Sequence, residues 1–261
     1  MSDGGHGTWD EPRVALVTGG AAGIGRAESL ALAEAGADVA ILAHTDVTGA
    51  EETVQRCRAA GRRALVVRAD VRRSDEVRQA VAEVVRGLGR LDILVNNAGA
   101  LGAQLNVPLL ELDEATWHLM MDSHLTGTFL CLKHAAPHMV RQRWGRIINT
   151  SSIHGRIGGR PTLGHYGAAK AGVIALTRTA ARELGPHGIT VNAVSPGYVA
   201  TERLGTTLPQ ERLDALARQI PVGRIGTPAE IGAAVVFLAS DGAAFVNGAV
   251  LDINGGRMEY V

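Results

Sequence analysis

Polarity along this chain changes rhythm in a recurring way. Short aliphatic and β-branched runs (VALVT from Val14, ADVAILA, ALVVRAD, LDILVNNAG, GRIINTSS, GITVNAVSP and AVLDI) alternate with longer stretches rich in Ala, Leu, Glu and Arg. Continuous apolar runs predict strands covered on both faces, and the stretches between them predict helices. Seven strands are therefore expected in one parallel sheet. Right-handed crossovers make this an α/β fold, doubly wound, with helices on both sides. Ligands of such a fold sit beyond the carboxyl ends of the strands, so the residues after each run carry the candidate chemistry.

No repeat, charge block or low-complexity linker interrupts the chain between Arg13 and Asn254, and residues 13–261 are expected to form one domain. Residues 1–12 read as a mobile polar tail, with Trp9 able to tuck against a neighbouring surface. Residues 200–227 follow a strand but read as a loop, a short amphipathic helix and a Gly/Pro-rich loop. A connection of that length predicts a lid, against the alternative of an ordinary surface crossing.

Composition narrows the partners. Hydrophobic residues make up 46% of the chain, with 33 glycines and only 3% aromatics, which predicts an Ala/Val/Leu/Gly interior with helices lying close on the sheet. Lys plus Arg (26) equal Asp plus Glu (26), so nothing in the charge balance favours nucleic acid or an anionic membrane. A small-molecule partner is expected. No run approaches the roughly 18 apolar residues of a membrane span, and the start lacks a basic segment followed by an apolar one. Cys57 and Cys131 have neither metal-site nor disulfide spacing, so no metal is expected and a reducing cytoplasm fits.

After the first strand comes TGGAAGIGRA, in which Thr18, Gly19, Gly23, Ile24 and Gly25 form a glycine turn that opens a helix running to about Ala35. Without Cβ atoms such a turn brings backbone N–H groups close to a pyrophosphate at a helix N-terminus. Its Gly-xxx-Gly-x-Gly spacing differs from GxGxxG, and tight packing alone is the other reading. Further on, YGAAK places Tyr166 and Lys170 one helical turn apart. A phenol ionises near about pH 10 and needs a nearby cation to act as acid or base at neutral pH, a role that lysine can fill.

Taken together, TGGAAGIG, NNAG at 96–99, YGAAK at 166–170 and SPG at 195–197 closely resemble the short-chain dehydrogenase/reductase family over residues 13–256. The resemblance implies a single-domain Rossmann-type fold and an oxidoreductase that exchanges hydride between a nicotinamide dinucleotide and a carbonyl or alcohol substrate. Tyr166 would be the general acid/base. Lys170 would favour its phenolate and hold the nicotinamide ribose. Ser152 would hydrogen-bond the reacting oxygen, with Ser151 competing for the role or a strand-end cap as its alternative. Ser152 lies fourteen positions before Tyr166, one more than is usual in the family. His124 stands where the family usually has a catalytic asparagine, and either sustains a proton relay or merely fills space.

The resemblance also assigns a cofactor shell. Asp70 and Val71 would meet the adenine; Asn97, Ala98 and Gly99 would line the adenosine ribose side; Pro196, Gly197, Val199 and Thr201 would flank the nicotinamide. Asp70 as a helix cap and Asn97 as a turn former are the alternatives. Where an acid would grip the ribose of NAD, the second strand ends in Ala43, followed by His44 and Thr45. That substitution favours NADP(H) over NAD(H), although there is no arginine at Ala22 or His44, Arg26 occurs in both kinds, and Asp46 confounds the reading if the loop folds back. Leu101, Ser152, His154, His165, Tyr198 and Leu204 are expected at the substrate pocket, with a slight hint of an anion from Arg156 and Arg160.

A homo-oligomer, commonly a tetramer, is implied through the helices near 113–140 and 163–184, with Tyr260 and Val261 reaching a neighbouring subunit. The competing readings are a catalytically silent dinucleotide-binding sensor or scaffold, and a dehydratase or epimerase of the kind found among longer relatives.

Overall fold

The computed structural model describes residue 9 and residues 11–100, 105–207 and 209–258. Its frame is a regular alternation of strand and helix: β1 Val14–Thr18, α1 Gly23–Glu34, β2 Asp38–Ala43, α2 Val47–Ala59, β3 Ala64–Arg68, α3 Ser74–Leu88 and β4 Ile93–Asn96. After these come α4 Glu114–Met121, a π-helical turn Asp122–Thr126, α5 Gly127–Gln142, β5 Gly145–Thr150, α6 Ile153–Ile157, α7 Gly164–Leu184 and β6 Ile189–Pro196. The chain closes with α8 Glu202–Thr207, α9 Gln210–Arg218, α10 Pro228–Ala239 and β7 Val250–Ile253.

All seven expected strands form one parallel sheet in the order β3-β2-β1-β4-β5-β6-β7. Successive strand residues point to opposite faces, and each face is covered. On one side Val17, Ile41, Val95 and Ile148 meet Leu32 of α1, Val54 of α2 and Val235 of α10. On the other, Leu16, Leu42, Leu94 and Ile147 meet Val81 of α3, Met139 of α5 and Ala180 of α7. Complete burial of each such aliphatic side chain contributes about 1.5–3 kcal/mol. The chain reverses its direction of winding between β1 and β4, and their adjacent carboxyl ends open the crevice where ligands of this architecture bind.

Trp9, within the segment read as a tail, is buried and donates its indole N–H to Ala239 O at 3.2 Å. Segment 200–227 contains α8 as well as the expected amphipathic helix α9; Gly205 and the Thr pair that follows obscured α8 in the sequence.

Inside the sheet lies a polar ladder. Asn96 donates to Asn149 Oδ1 at 2.8 Å, and Asn149 donates to Thr177 Oγ1 at 2.9 Å, tying β4 to β5 and β5 to α7. All three residues are buried. Asn149→Ala leaves Asn96 Nδ2 without its partner and takes from Thr177 Oγ1 its donor, although Thr177 still donates to Val173 O, a loss of about 1–3 kcal/mol. Urea denaturation should show that decrease with an unchanged far-ultraviolet dichroism spectrum.

Candidate active site

The turn after β1 is shaped by what its neighbours exclude. A Cβ on Gly25 would stand 2.3 Å from Gly19 O and 2.4 Å from Asn97 Nδ2, so only glycine lets α1 start this close to the strand ends. Gly19 itself takes a positive φ of 70°. Thr18 Oγ1 accepts from the N–H groups of Asn97 and Ala98, both at 3.0 Å, and Asn97 Nδ2 donates to Thr18 O and Gly19 O. The β1 and β4 ends are thereby locked together. The first turn of α1 has no side-chain cap and no acidic residue, leaving its N–H groups and positive dipole end for an anion. Thr201, entering the 200–227 segment, approaches Gly23 of the same turn to 3.4 Å, measured from a Cβ built there. A dinucleotide pyrophosphate fits this arrangement.

The residues expected at the adenosine end are largely engaged with one another. Asp70 is clamped by Arg72 at 2.6 Å, which holds its carboxyl below the usual range, and His44 Nε2 lies 3.9 Å away. Asp46 caps α2 by accepting from Gly49 N, so it does not fold back. Arg26 is occupied by Ala21 O, Thr53 and Glu52. His44 and Thr45 are exposed, Ala43 and Val71 buried.

On α7, Tyr166 and Lys170 share a face as expected. Lys170 is buried, with Nζ donating to Thr150 O at 2.6 Å and standing 5.8 Å from the Tyr166 ring centre. Ser152 hydrogen-bonds the Tyr166 hydroxyl and caps α6 by accepting from His154 N. Ser151 turns away and donates to Lys170 O at 2.9 Å, so geometry separates the two serines. Burial raises the phenol's pKa, and the Ser152 bond partly offsets that. Burial drives the Lys170 pKa down to about 8, with Glu28 opposing.

His124 sits in the π-helical turn, a local widening that re-aims a side chain. Its Nε2 is 2.8 Å from Ala100 O; a carbonyl only accepts, so Nε2 carries the proton. Nδ1 is then a buried acceptor without a partner among the described residues, and the ring stands edge-on to Tyr166 at 5.2 Å between centroids. Burial first and Lys170 second push His124 well below the ordinary histidine pKa, so it is neutral rather than a titrating relay. Gly99 makes room for it: a Cβ there would lie 1.9 Å from His124 Cε1.

The His154 and Tyr166 ring centroids are 5.7 Å apart and Tyr198 is half-buried, whereas His165 is fully buried. Gly197 N donates to Ile253 O, and Val199 pairs with Gly226, so the Pro196 turn and the 200–227 segment are anchored together. Leu204 is half-buried and donates its N–H to Thr201 Oγ1. Leu101, Tyr260 and Val261 lie outside the described residues.

Sequence reasoning missed Glu28. It is fully buried in α1; Thr150 Oγ1 donates to its Oε1 at 3.4 Å, and its Oε2 has no partner among the described residues. Burial raises its pKa to about 8, with Thr150 and Lys170 opposing. An acid in an Ala/Leu-rich helix reads as solvent-facing, although the next turn, LALAE, shows how little of that helix is polar.

The family model described as "Enoyl-(Acyl carrier protein) reductase" matches residues 19–257. The 3-oxoacyl-[acyl-carrier-protein] reductase FabG of Staphylococcus epidermidis is 43% identical, covering 93% of this chain and 97% of that protein. The cis-4-hydroxycyclohexanecarboxylate dehydrogenase of Sinomonas cyclohexanicum is 46% identical, covering 94% and 96%. A crystal structure of a putative gluconate dehydrogenase from Agrobacterium tumefaciens superposes with a TM-score of 0.88 at 36% identity, covering 95% and 97%.

Glu28 gives a signed pH effect on stability. Unfolded, it loses its proton above about 4.5; folded, it keeps it to about 8. The native state binds the extra proton in that window, so stability falls as pH rises from about 4.5 to about 8. Lys170 acts oppositely, its depressed pKa making stability rise from about 8 towards 10.5. Glu28→Gln should flatten the falling limb and spare the rising one in urea titrations at graded pH.

Proposed function

This chain belongs to the short-chain dehydrogenase/reductase family and is an NAD(P)-dependent oxidoreductase, and on that premise we propose that Tyr166, Ser152 and Lys170 interconvert a secondary alcohol and its ketone. The observation that carries the reading is the placement of Tyr166 one turn before Lys170 on α7, with Lys170 buried and its Nζ fixed on Thr150 O at 2.6 Å, two residues before Ser152. A bound nicotinamide dinucleotide supplies or accepts the hydride. Tyr166 delivers its phenolic proton to the carbonyl oxygen in reduction, or takes the alcohol proton in oxidation. Ser152 hydrogen-bonds the same oxygen and stabilises the charge that develops there. Lys170, fixed on Thr150 O, faces the nicotinamide ribose. His124 offers a neutral acceptor where a relay through Lys170 would otherwise meet an amide.

For the dinucleotide, the fit rests on the Gly25 approach and the uncapped start of α1. Thr18, Gly19, Gly23, Ile24 and Gly25 hold the pyrophosphate side. Asp70, Val71, Asn97, Ala98 and Gly99 hold the adenosine side. Pro196, Gly197, Val199 and Thr201 border the nicotinamide. The choice between NADP(H) and NAD(H) turns on the rim after β2. No carboxylate stands at Ala43, and Asp46 is turned to cap α2, which supports room for a 2′-phosphate at that rim. Exposed His44 and Thr45 offer it hydrogen bonds. NADP(H) is the preferred cofactor in this reading.

The relatives are named for a 3-oxoacyl thioester, a hydroxycyclohexanecarboxylate and gluconate, so the alcohol or carbonyl carbon is their common chemistry. His154 and Tyr198 line the substrate side, and residues 200–227, hinged by the Val199–Gly226 bridge, close over it. The protein works as a homo-oligomer, commonly a tetramer, in the cytoplasm. No helix among the described residues is long and apolar enough to cross a membrane.

Two outcomes test this. Tyr166→Phe should lower kcat by about 10²-fold or more while fluorescence titration still detects dinucleotide binding; retained turnover would remove Tyr166 from the mechanism, and a catalytically silent dinucleotide sensor would bind without any turnover in the parent protein. Side-by-side titration should give a lower Kd for NADPH than for NADH, and tighter NADH would reverse the assignment of the Ala43 rim.

A further inference from the structure

The C-terminal segment after β7 carries a cation that the chemistry above leaves unused. Arg257 is only 8% exposed. Its guanidinium lies 4.9 Å over the Tyr198 ring, and Nη2 donates to Gln219 Oε1 at 2.8 Å, at the end of α9. Nη1 is buried and has no hydrogen-bond partner among the described residues. Among the described residues no carboxylate pairs with this charge.

The contrast with its neighbours matters. Arg156 is paired with Asp252 at 3.1 Å, and Arg160 donates to Asn106 Oδ1 at 2.7 Å. Those two exposed or rim cations, which first hinted at an anion in the sequence, are already engaged. Arg257 faces inward instead. It acts on His154, which lies 5.7 Å from the Tyr166 ring, and burial with Arg160 and Arg257 drives that imidazole down to about 4, so His154 adds no competing charge. A desolvated guanidinium without a counter-ion is costly, and an anion brought in by a ligand offsets that cost.

We propose that Arg257 binds a carboxylate carried by the substrate remote from the reacting carbon, so that this enzyme's substrates are hydroxy acids and the matching keto acids. The proposal rests on the oxidoreductase reading above and deepens it. Tyr166 and Ser152 hold the reacting oxygen at one end of the cleft; the Tyr198–Arg257 stack receives the carboxylate at the other. A planar fork with one nitrogen already fixed on Gln219 suits a planar carboxylate. Because Gln219 belongs to the 200–227 segment, the same contact couples the anion to the segment that covers the pocket.

The test compares keto acids with their methyl esters, using 4-oxopentanoate and 4-oxocyclohexanecarboxylate. In the parent protein kcat/KM should favour each acid over its ester by at least about 10-fold, mostly through KM, the size expected of one charge-assisted contact. Arg257→Gln should bring that ratio close to one; Arg257→Lys should keep part of it and shows that loss is not misfolding. Cyclohexanecarboxylate titrated calorimetrically into the protein with saturating NADP(H) should bind to the parent and not to Arg257→Gln. Acid and ester turned over equally, or a preference unchanged in Arg257→Gln, would overturn the proposal while leaving Tyr166-dependent turnover standing. Carboxylate binding that needs Arg257 but yields no turnover of any ketone would instead sink the oxidoreductase assignment of the triad and spare the anion site.

Discussion

Everything at this site depends on a lysine ammonium held out of water. Lys170 comes from the layer on one face of the sheet, Glu28 from the layer on the other, and both converge on Thr150 at the carboxyl end of β5, one through its backbone oxygen and one through its hydroxyl. A buried charge of this kind is sustained only by fixed partners, so the end of β5 cannot shift without exposing it. The serine and tyrosine inherit that fixity. Ser152 follows Thr150 by two residues, and Tyr166 precedes Lys170 by one turn of α7. The sheet thus provides more than a platform: its central edge is where both helical layers are clamped.

The same principle sorts the charges elsewhere. Arg26, Arg72 and Arg156 are each matched to a carboxylate or a carbonyl, and they organise the protein without needing a ligand. Around the reacting groups the balance differs. His124 and His154 are kept neutral by burial and by the nearby cations, and burial alone keeps the proton on the Tyr166 phenol. The interior therefore favours proton donors and neutral acceptors, which is the state needed to receive a developing negative charge on oxygen.

How far the sequence could be read follows from these physics. Strands buried on both faces appear as unbroken apolar runs, so all seven, their parallel sense and the glycine turn were legible. The pair Tyr166 and Lys170 was legible because helical spacing fixes a shared face. Three things were not. The π-helical turn at 122–126 leaves no mark in polarity, since its one extra residue per turn looks like ordinary helix. Glu28 and Arg257 were passed over because a charged residue in a helix or near a terminus is normally solvated, and only the packing shows them buried. The depth of burial also escaped: it raises the pKa of Tyr166 and lowers that of Lys170, and spacing alone gives no sign of it.

Gly99 and His124 form a steric couple, and that has a consequence for how such an enzyme can change. The three atoms nearest a side chain at 99 all belong to the His124 ring, so with histidine in place any larger residue at 99 is blocked. With a smaller residue at 124 that obstruction disappears. The two positions are therefore epistatic and their order of mutation matters: a lineage can pass through a changed 124 and then diversify 99, but not the reverse. Directed evolution that randomises 99 alone will recover glycine, whereas a library varying both positions opens a route that single steps conceal.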